Sequence, residues 1–172
     1  ATGAGVINIV NGAAGGLTST GAKQLTQAQA AGGIESGDGF GQALAAGDFN
    51  DDGFSDLAVG VPHEGVGSTT DGGVVNVLRG GASGLSSTGA QQFTQNQAAG
   101  GAEPGDHFGA AVAAGDVNND GYADLAIGTP DEGVGSLASA GVVNVLKGSA
   151  SGLTSTGAAQ LTQSNAGGGA EA

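Results

Sequence analysis

The constraint that most limits this fold is a register that repeats every 68 residues along the chain without a gap. Phe40-Gly41 recurs as Phe108-Gly109, Leu57-Ala58-Val59-Gly60 as Leu125-Ala126-Ile127-Gly128, and Pro62 as Pro130. Gly73-Val74-Val75-Asn76-Val77-Leu78 recurs as Gly141-Val142-Val143-Asn144-Val145-Leu146, and echoes backwards as Gly5-Val6-Ile7-Asn8-Ile9-Val10. About two thirds of the aligned positions in the two full copies are identical. A fixed period of this kind means that one supersecondary unit is being repeated, and that each unit buries its faces against its neighbours.

Within a unit, short segments rich in Val, Ile, Leu and Ala are bounded by Gly, Asn, Asp and Ser, which predicts strands joined by turns. Four are expected per unit, at about residues 40–47, 56–61, 73–79 and 91–95. Val74, Val75, Val77 and Leu78 put apolar groups on both faces, as in strands covered on both sides. No sustained helical stripe is present. Residues 27–31 can form one helical turn before Gly32-Gly33 ends it. The fold class is therefore all-β. The expected division is a partial unit at 1–39, with its last two strands and a linker, and full units at 40–107 and 108–172.

Glycine supplies 38 of 172 residues, and most recur at fixed unit positions, so the glycine is architectural. There are 16 acidic against 3 basic residues and a formal charge of −13, which disfavours nucleic acid and anionic membranes as partners. Cysteine is absent, removing disulfides, thiolate zinc sites and thiol nucleophiles. No apolar run approaches the length of a membrane span, and the sequence as it stands opens on no charged-plus-apolar signal segment, as expected of a processed or truncated product. The chain opens inside one unit and stops at Glu171-Ala172, before a third Phe-Gly falls due. It is expected to be part of a longer chain or a larger assembly.

The densest chemistry lies in two nine-residue segments in register, DFNDDGFSD at 48–56 and DVNNDGYAD at 116–124. Each has oxygen-bearing side chains at positions 1, 3, 5 and 9 and Gly at position 6. Calcium takes six to eight oxygen ligands, and this spacing wraps one ion. The expected ligands are Asp48, Asn50, Asp52, the Phe54 carbonyl and Asp56 in one loop. In the other they are Asp116, Asn118, Asp120, the Tyr122 carbonyl and Asp124. Asp51 and Asn119, at position 4, are expected to point outward. An EF-hand needs a Glu at position 12 and a following helix; Val59 and Ile127 stand there, inside apparent strands. Asp/Asn/Gly clusters also form plain β-turns, and two copies in register favour the metal loop over that alternative. About two Ca2+ ions per chain are expected, and no other cofactor.

Other polar residues carry less. His63 aligns with Asp131 and His107 with Gly39, so neither belongs to the repeat, and exposed loop positions are expected for both. Glu35 and Asp38 recur as Glu103 and Asp106, which suits capping of the turn before Phe-Gly better than acid–base work. No Ser-His-Asp set or phosphate loop is visible, and the expectation is a protein that is not an enzyme. Every aromatic aligns with an apolar position, which predicts core for all of them. Arg79, Lys147 and Lys23 are expected at solvated strand ends.

Together Phe40-Gly41, Gly47-Asp48, Asp56-Leu57-Ala58-Val59-Gly60-Val61-Pro62 and Gly73-Val74-Val75-Asn76-Val77, with their second copies, resemble the FG-GAP repeat of integrin α-subunits and related bacterial surface proteins. The resemblance implies that each unit is a four-stranded β-propeller blade with calcium in the loop between its first two strands. It implies a secreted or surface-displayed, calcium-stabilised module for adhesion to a protein or glycan. The alternative is a structural subunit of an extracellular filament or surface layer, self-associating through its repeat faces. A non-catalytic region of a secreted hydrolase or lyase ranks below both.

Overall fold

The computed structural model describes residues 1–167; the chain end at Glu171-Ala172 lies outside them. Among the described residues, ten strands form three antiparallel sheets. The first pairs β1 (Ile7–Ala13) with β2 (Gly16–Leu25). The middle sheet runs in sequence order through β3 (Ala43–Gly47), β4 (Asp56–Val61), β5 (Val74–Arg79) and β6 (Ser86–Thr94). The last repeats that meander with β7 (Ala111–Gly115), β8 (Asp124–Thr129), β9 (Val142–Lys147) and β10 (Thr154–Thr162). Short 3-10 turns follow β2 and β6 at Gln27–Gln29 and Gln95–Gln97.

Two boundaries differ from expectation. Phe40-Gly41 forms a turn and the strand begins only at Ala43. Phe40 and Phe108 instead cross to the preceding sheet, where their N–H groups donate to the carbonyls of Ala4 (2.9 Å) and Gly72 (3.2 Å). The glycines that receive them, Gly5 and Gly73, have φ of +83° and +76°, and a Cβ at either would collide with the Phe backbone. The fourth strand begins at Ser86, earlier than expected, and pairs with β5 through an irregularity between Val77 and Arg79. Its polar first half, Ser86-Ser87-Thr88-Gly89, has no apolar alternation to mark it as strand.

The sheets stack, and the cores lie between them. Ile7, Leu25, Phe40, Val59, Val61 and Leu78 fill the seam between the first and middle sheets. Phe49, Val75, Val77, Phe93, Phe108, Leu125, Ile127 and Leu146 fill the seam between the middle and last. Thus β5 serves both seams, Leu78 facing back and Val77 forward, which is why its sequence is apolar on both faces.

Buried amides lock the seams. Gln27 Nε2 donates to Glu64 Oε2 and Gln95 Nε2 to Glu132 Oε2, both at 2.7 Å. Asn144 Nδ2 donates to the Ala98 carbonyl at 2.6 Å, and the Asn76 amide, oriented to donate, lies 3.2 Å from the Ala30 and Ala31 carbonyls. A buried polar side chain left unpaired costs about 1–3 kcal/mol, so these contacts fix how one sheet sits on the next.

Candidate metal loops and the residues around them

Each acidic loop joins the first two strands of a four-stranded sheet, β3 to β4 and β7 to β8. The turn is built by the side chains themselves. Asp48 accepts the N–H groups of Asp52 (3.1 Å) and Gly53 (2.8 Å), and Asp52 accepts that of Phe54 (2.9 Å). Asp116 accepts from Asp120 (3.1 Å) and Gly121 (3.0 Å), and Asp120 from Tyr122 (3.0 Å). Positions 4 and 6 are left-handed, with φ of +55° at Asp51 and +86° at Gly53, then +59° at Asn119 and +97° at Gly121. Asp and Asn tolerate that conformation better than most residues, and Gly adopts it freely. Asp51 and Asn119 are exposed, as expected.

The closing aspartates behave differently from the others. Asp56 and Asp124 are buried. Asp56 accepts the Phe49 N–H (3.2 Å) and the Gly80 N–H (2.8 Å), tying the loop to the end of β5. Asp124 does the same with Val117 (3.1 Å) and Gly148 (2.9 Å). Desolvation raises the Asp56 pKa above the ordinary carboxylate value, against the Gly80 N–H and the Arg79 guanidinium 3.8 Å away. At Asp52 the Asn50 amide (2.8 Å) and the Phe54 N–H lower the pKa instead.

Each loop thus carries three aspartates and an asparagine around one turn, with Asn50 donating to Asp52 in the first and Asn118 Oδ1 accepting the Asp120 N–H in the second. Each ionised carboxylate has about four lone-pair sites, so the N–H bonds described leave capacity for a cation. Asn50 Oδ1 is buried with no hydrogen-bond partner. An acceptor of that kind, beside three acidic groups, suits a hard cation. The donor set fits calcium: Asp48, Asn50, Asp52 and Asp56, with the Phe54 carbonyl, would hold one ion. Asp116, Asn118, Asp120 and Asp124, with the Tyr122 carbonyl, would hold another.

The aromatic expectation needs correcting at two positions. Phe40, Phe49, Phe93 and Phe108 are buried, but Phe54 is 43% exposed and Tyr122 is half-buried. Asp38 and Asp106 cap the turns before Phe40 and Phe108, accepting the Glu35 and Glu103 N–H groups. Arg79 is not a free strand end: it reaches Asp56 and donates to the Ser151 carbonyl of the last sheet. Nor are the two histidines unrelated loop residues. Their rings meet edge to face with centroids 4.9 Å apart. The one sign in the sequence was that both break the repeat. Their pairing, 44 positions apart, follows from how the sheets stack.

A sequence profile described as the FG-GAP repeat matches residues 40–78 and 108–146, each span running from the Phe-Gly turn through the acidic loop to β5 or β9. The chain carries two FG-GAP repeats. Mouse (Mus musculus) integrin alpha-E is 41% identical over 100 residues, covering 55% of this chain and 8% of that protein. Integrin alpha-4 of Xenopus laevis is 38% identical over 112 residues, covering 64% and 10%. The phosphatidylinositol-glycan-specific phospholipase D of Rattus norvegicus is 36% identical over 120 residues, covering 68% and 14%. The chain therefore spans only a small part of each of these relatives. As FG-GAP blades, the middle and last sheets are four-stranded and antiparallel, with the acidic loop between the first two strands.

Proposed function

We propose that this chain is a calcium-stabilised FG-GAP module of an extracellular or cell-surface protein, serving adhesion or the binding of a protein or glycan partner. The observation that carries it is the paired loop, in which carboxylates and an orphaned buried amide oxygen, Asn50 Oδ1, are gathered between two strands. Bound calcium would supply positive charge there. It would let the loop carboxylates stay ionised together in a chain that carries a net charge of −13. Because an ion of this kind binds the folded loop and not the open chain, it adds to stability. The residues needed for this are the ten already named, divided five to a loop.

The adhesive role draws support from relatives named integrin alpha. Two relatives are named a phospholipase D, and only 14% of each is matched. The acidic loops read as scaffold in either setting, and the chain as a binding module rather than an enzyme. No helix among the described residues is long and apolar enough to cross a membrane.

A second reading, self-assembly through repeat faces, is favoured by one surface. Val143 and Leu161 are 40% and 46% exposed, whereas their counterparts Val75 and Phe93 are buried against the following sheet. A second copy docked on this open face would cover them. Isothermal titration of chelator-treated protein with CaCl2 tests the first reading: two ions per chain are expected, and one in Asp48→Ala or Asp116→Ala. No heat from calcium would refute it. Sedimentation of the loaded sample as monomer at high concentration would dismiss the second.

A further inference from the structure

Apart from the acidic loops, the seam between the middle and last sheets gathers a different set of side chains. His63 lies in the turn after β4, Asp71 in the loop before β5, and His107 in the turn before β7. One ligand atom from each falls within 4.8 Å of the others. His63 Nδ1 is 3.6 Å from Asp71 Oδ1, close to the edge of about 3.3–3.5 Å that tetrahedral zinc with 2.0–2.1 Å bonds requires. His63 and Asp71 come from the middle sheet's loops and His107 from the turn leading into β7 of the last sheet, so an ion here would bridge the seam.

The backbone at this seam holds the side chains in place. His107 N–H donates to the Asp71 carbonyl at 3.1 Å, and the flanking bonds Gly105 to Thr70 and Phe108 to Gly72 continue the same ladder. The corresponding ladder at the earlier seam is Gly37 to Thr2, Gly39 to Gly3 and Phe40 to Ala4. Glycines thus stand there in place of Asp71 and His107. All four residues are left-handed: φ is +51° at Asp71 and +56° at His107, against +73° at Gly3 and +72° at Gly39. The fold is satisfied by glycine at both positions, and this is the conformation glycine adopts without strain. The later seam instead places two potential ligands there, Asp and His being among the side chains that tolerate this conformation.

A fourth residue completes the arrangement. Asp131, the counterpart of His63 in the last unit, lies 2.7 Å from His107 Nδ1. A carboxylate on one ring nitrogen fixes the tautomer and leaves the other, Nε2, as a lone-pair donor, as metal-bound histidines are oriented. The side chains of His63, Asp71 and His107 are 40%, 50% and 28% exposed, so an ion reaches them from solvent.

We propose that His63, His107 and Asp71 form a zinc site that staples the two FG-GAP blades, with Asp131 as the positioning residue. Two imidazoles and one carboxylate are a borderline-soft set that suits Zn2+ and leaves a fourth position for water. Calcium, which takes six to eight oxygens, is the wrong ion for it. The site is separate from the acidic loops and stands whether or not those hold calcium.

The test is isothermal titration with ZnCl2 of the full chain held in saturating CaCl2, so that the acidic loops are not the ones being filled. The variants are His63→Ala, His107→Gly and Asp131→Asn. His107→Gly installs the residue of the earlier seam, so it retains the fold, which circular dichroism checks. One zinc per chain is expected, lost in His63→Ala and His107→Gly and weakened about 10–100-fold in Asp131→Asn. Zinc should also raise the melting temperature of the native chain and not that of His107→Gly. Absence of zinc binding, or binding unchanged in both histidine variants, would overturn the site.

Discussion

The two acidic loops have the same length, the same left-handed positions and nearly the same internal hydrogen bonds, yet they occupy different surroundings. Position 2 of the first loop, Phe49, is fully buried in the seam with the last sheet, and its carbonyl accepts the Ser149 N–H at 3.2 Å. Position 2 of the second, Val117, is 72% exposed. The Asp48 carbonyl accepts the Ala123 N–H (3.0 Å), so the first loop leans on the second, while none of the described residues leans on the second in that way. Closing the turn is thus a local property of the nine residues, and carrying a neighbour is a property of position 2.

The largest consequence concerns that position. Phe49→Ala removes a buried ring from the seam core and is expected to lower stability by about 3–5 kcal/mol. Val117→Ala, at the matching place, should stay within about 0.5 kcal/mol. Chemical denaturation of both variants makes the comparison, and equal losses would mean that the seam is not what Phe49 supports.

A smaller effect tests where the two seams agree. Burial raises the pKa of Glu64 and of Glu132 above the 4.5 of an ordinary glutamate, opposed at each by the amide of Gln27 or Gln95. The native chain holds these protons more tightly than the unfolded one. Their stabilising contribution is therefore full below pH 4.5 and is lost as pH rises through the raised native values. Glu64→Gln and Glu132→Gln keep an acceptor for the partner amide and remove the titration. Each should flatten the decline of the melting temperature from about pH 4 to 7 in chelated protein. A slope unchanged in both would remove the burial argument.

Much of this was legible in the sequence because repetition exposes what each position does. The period, the four strands, the acidic loops and the two-faced character of Val74 to Leu78 all appear as positions that agree between copies. The polar start of β6 was not legible, since Ser86 to Gly89 pairs through backbone hydrogen bonds with no apolar face to signal it. Phe54 was misplaced because its apolar counterpart Tyr122 suggested a core position, while the loop turns the ring outward. The His63–Asp71–His107 cluster lay beyond reach for a different reason. It is made where the copies disagree, and it needs the stacking of two sheets to bring it together. The seam amides were hidden likewise: Gln27 and Gln95 look like surface residues until a neighbour covers them.

The measurement closest to the central claim is a thermal melt with excess calcium and again with excess chelator, on the native chain and on the Asp48→Ala/Asp116→Ala double variant. The native chain is expected to melt lower in chelator, by a shift that follows calcium concentration as linkage requires. The double variant is expected to melt at one temperature in both. A native chain whose melt is the same with calcium and with chelator would contradict the assignment of these loops as structural calcium sites.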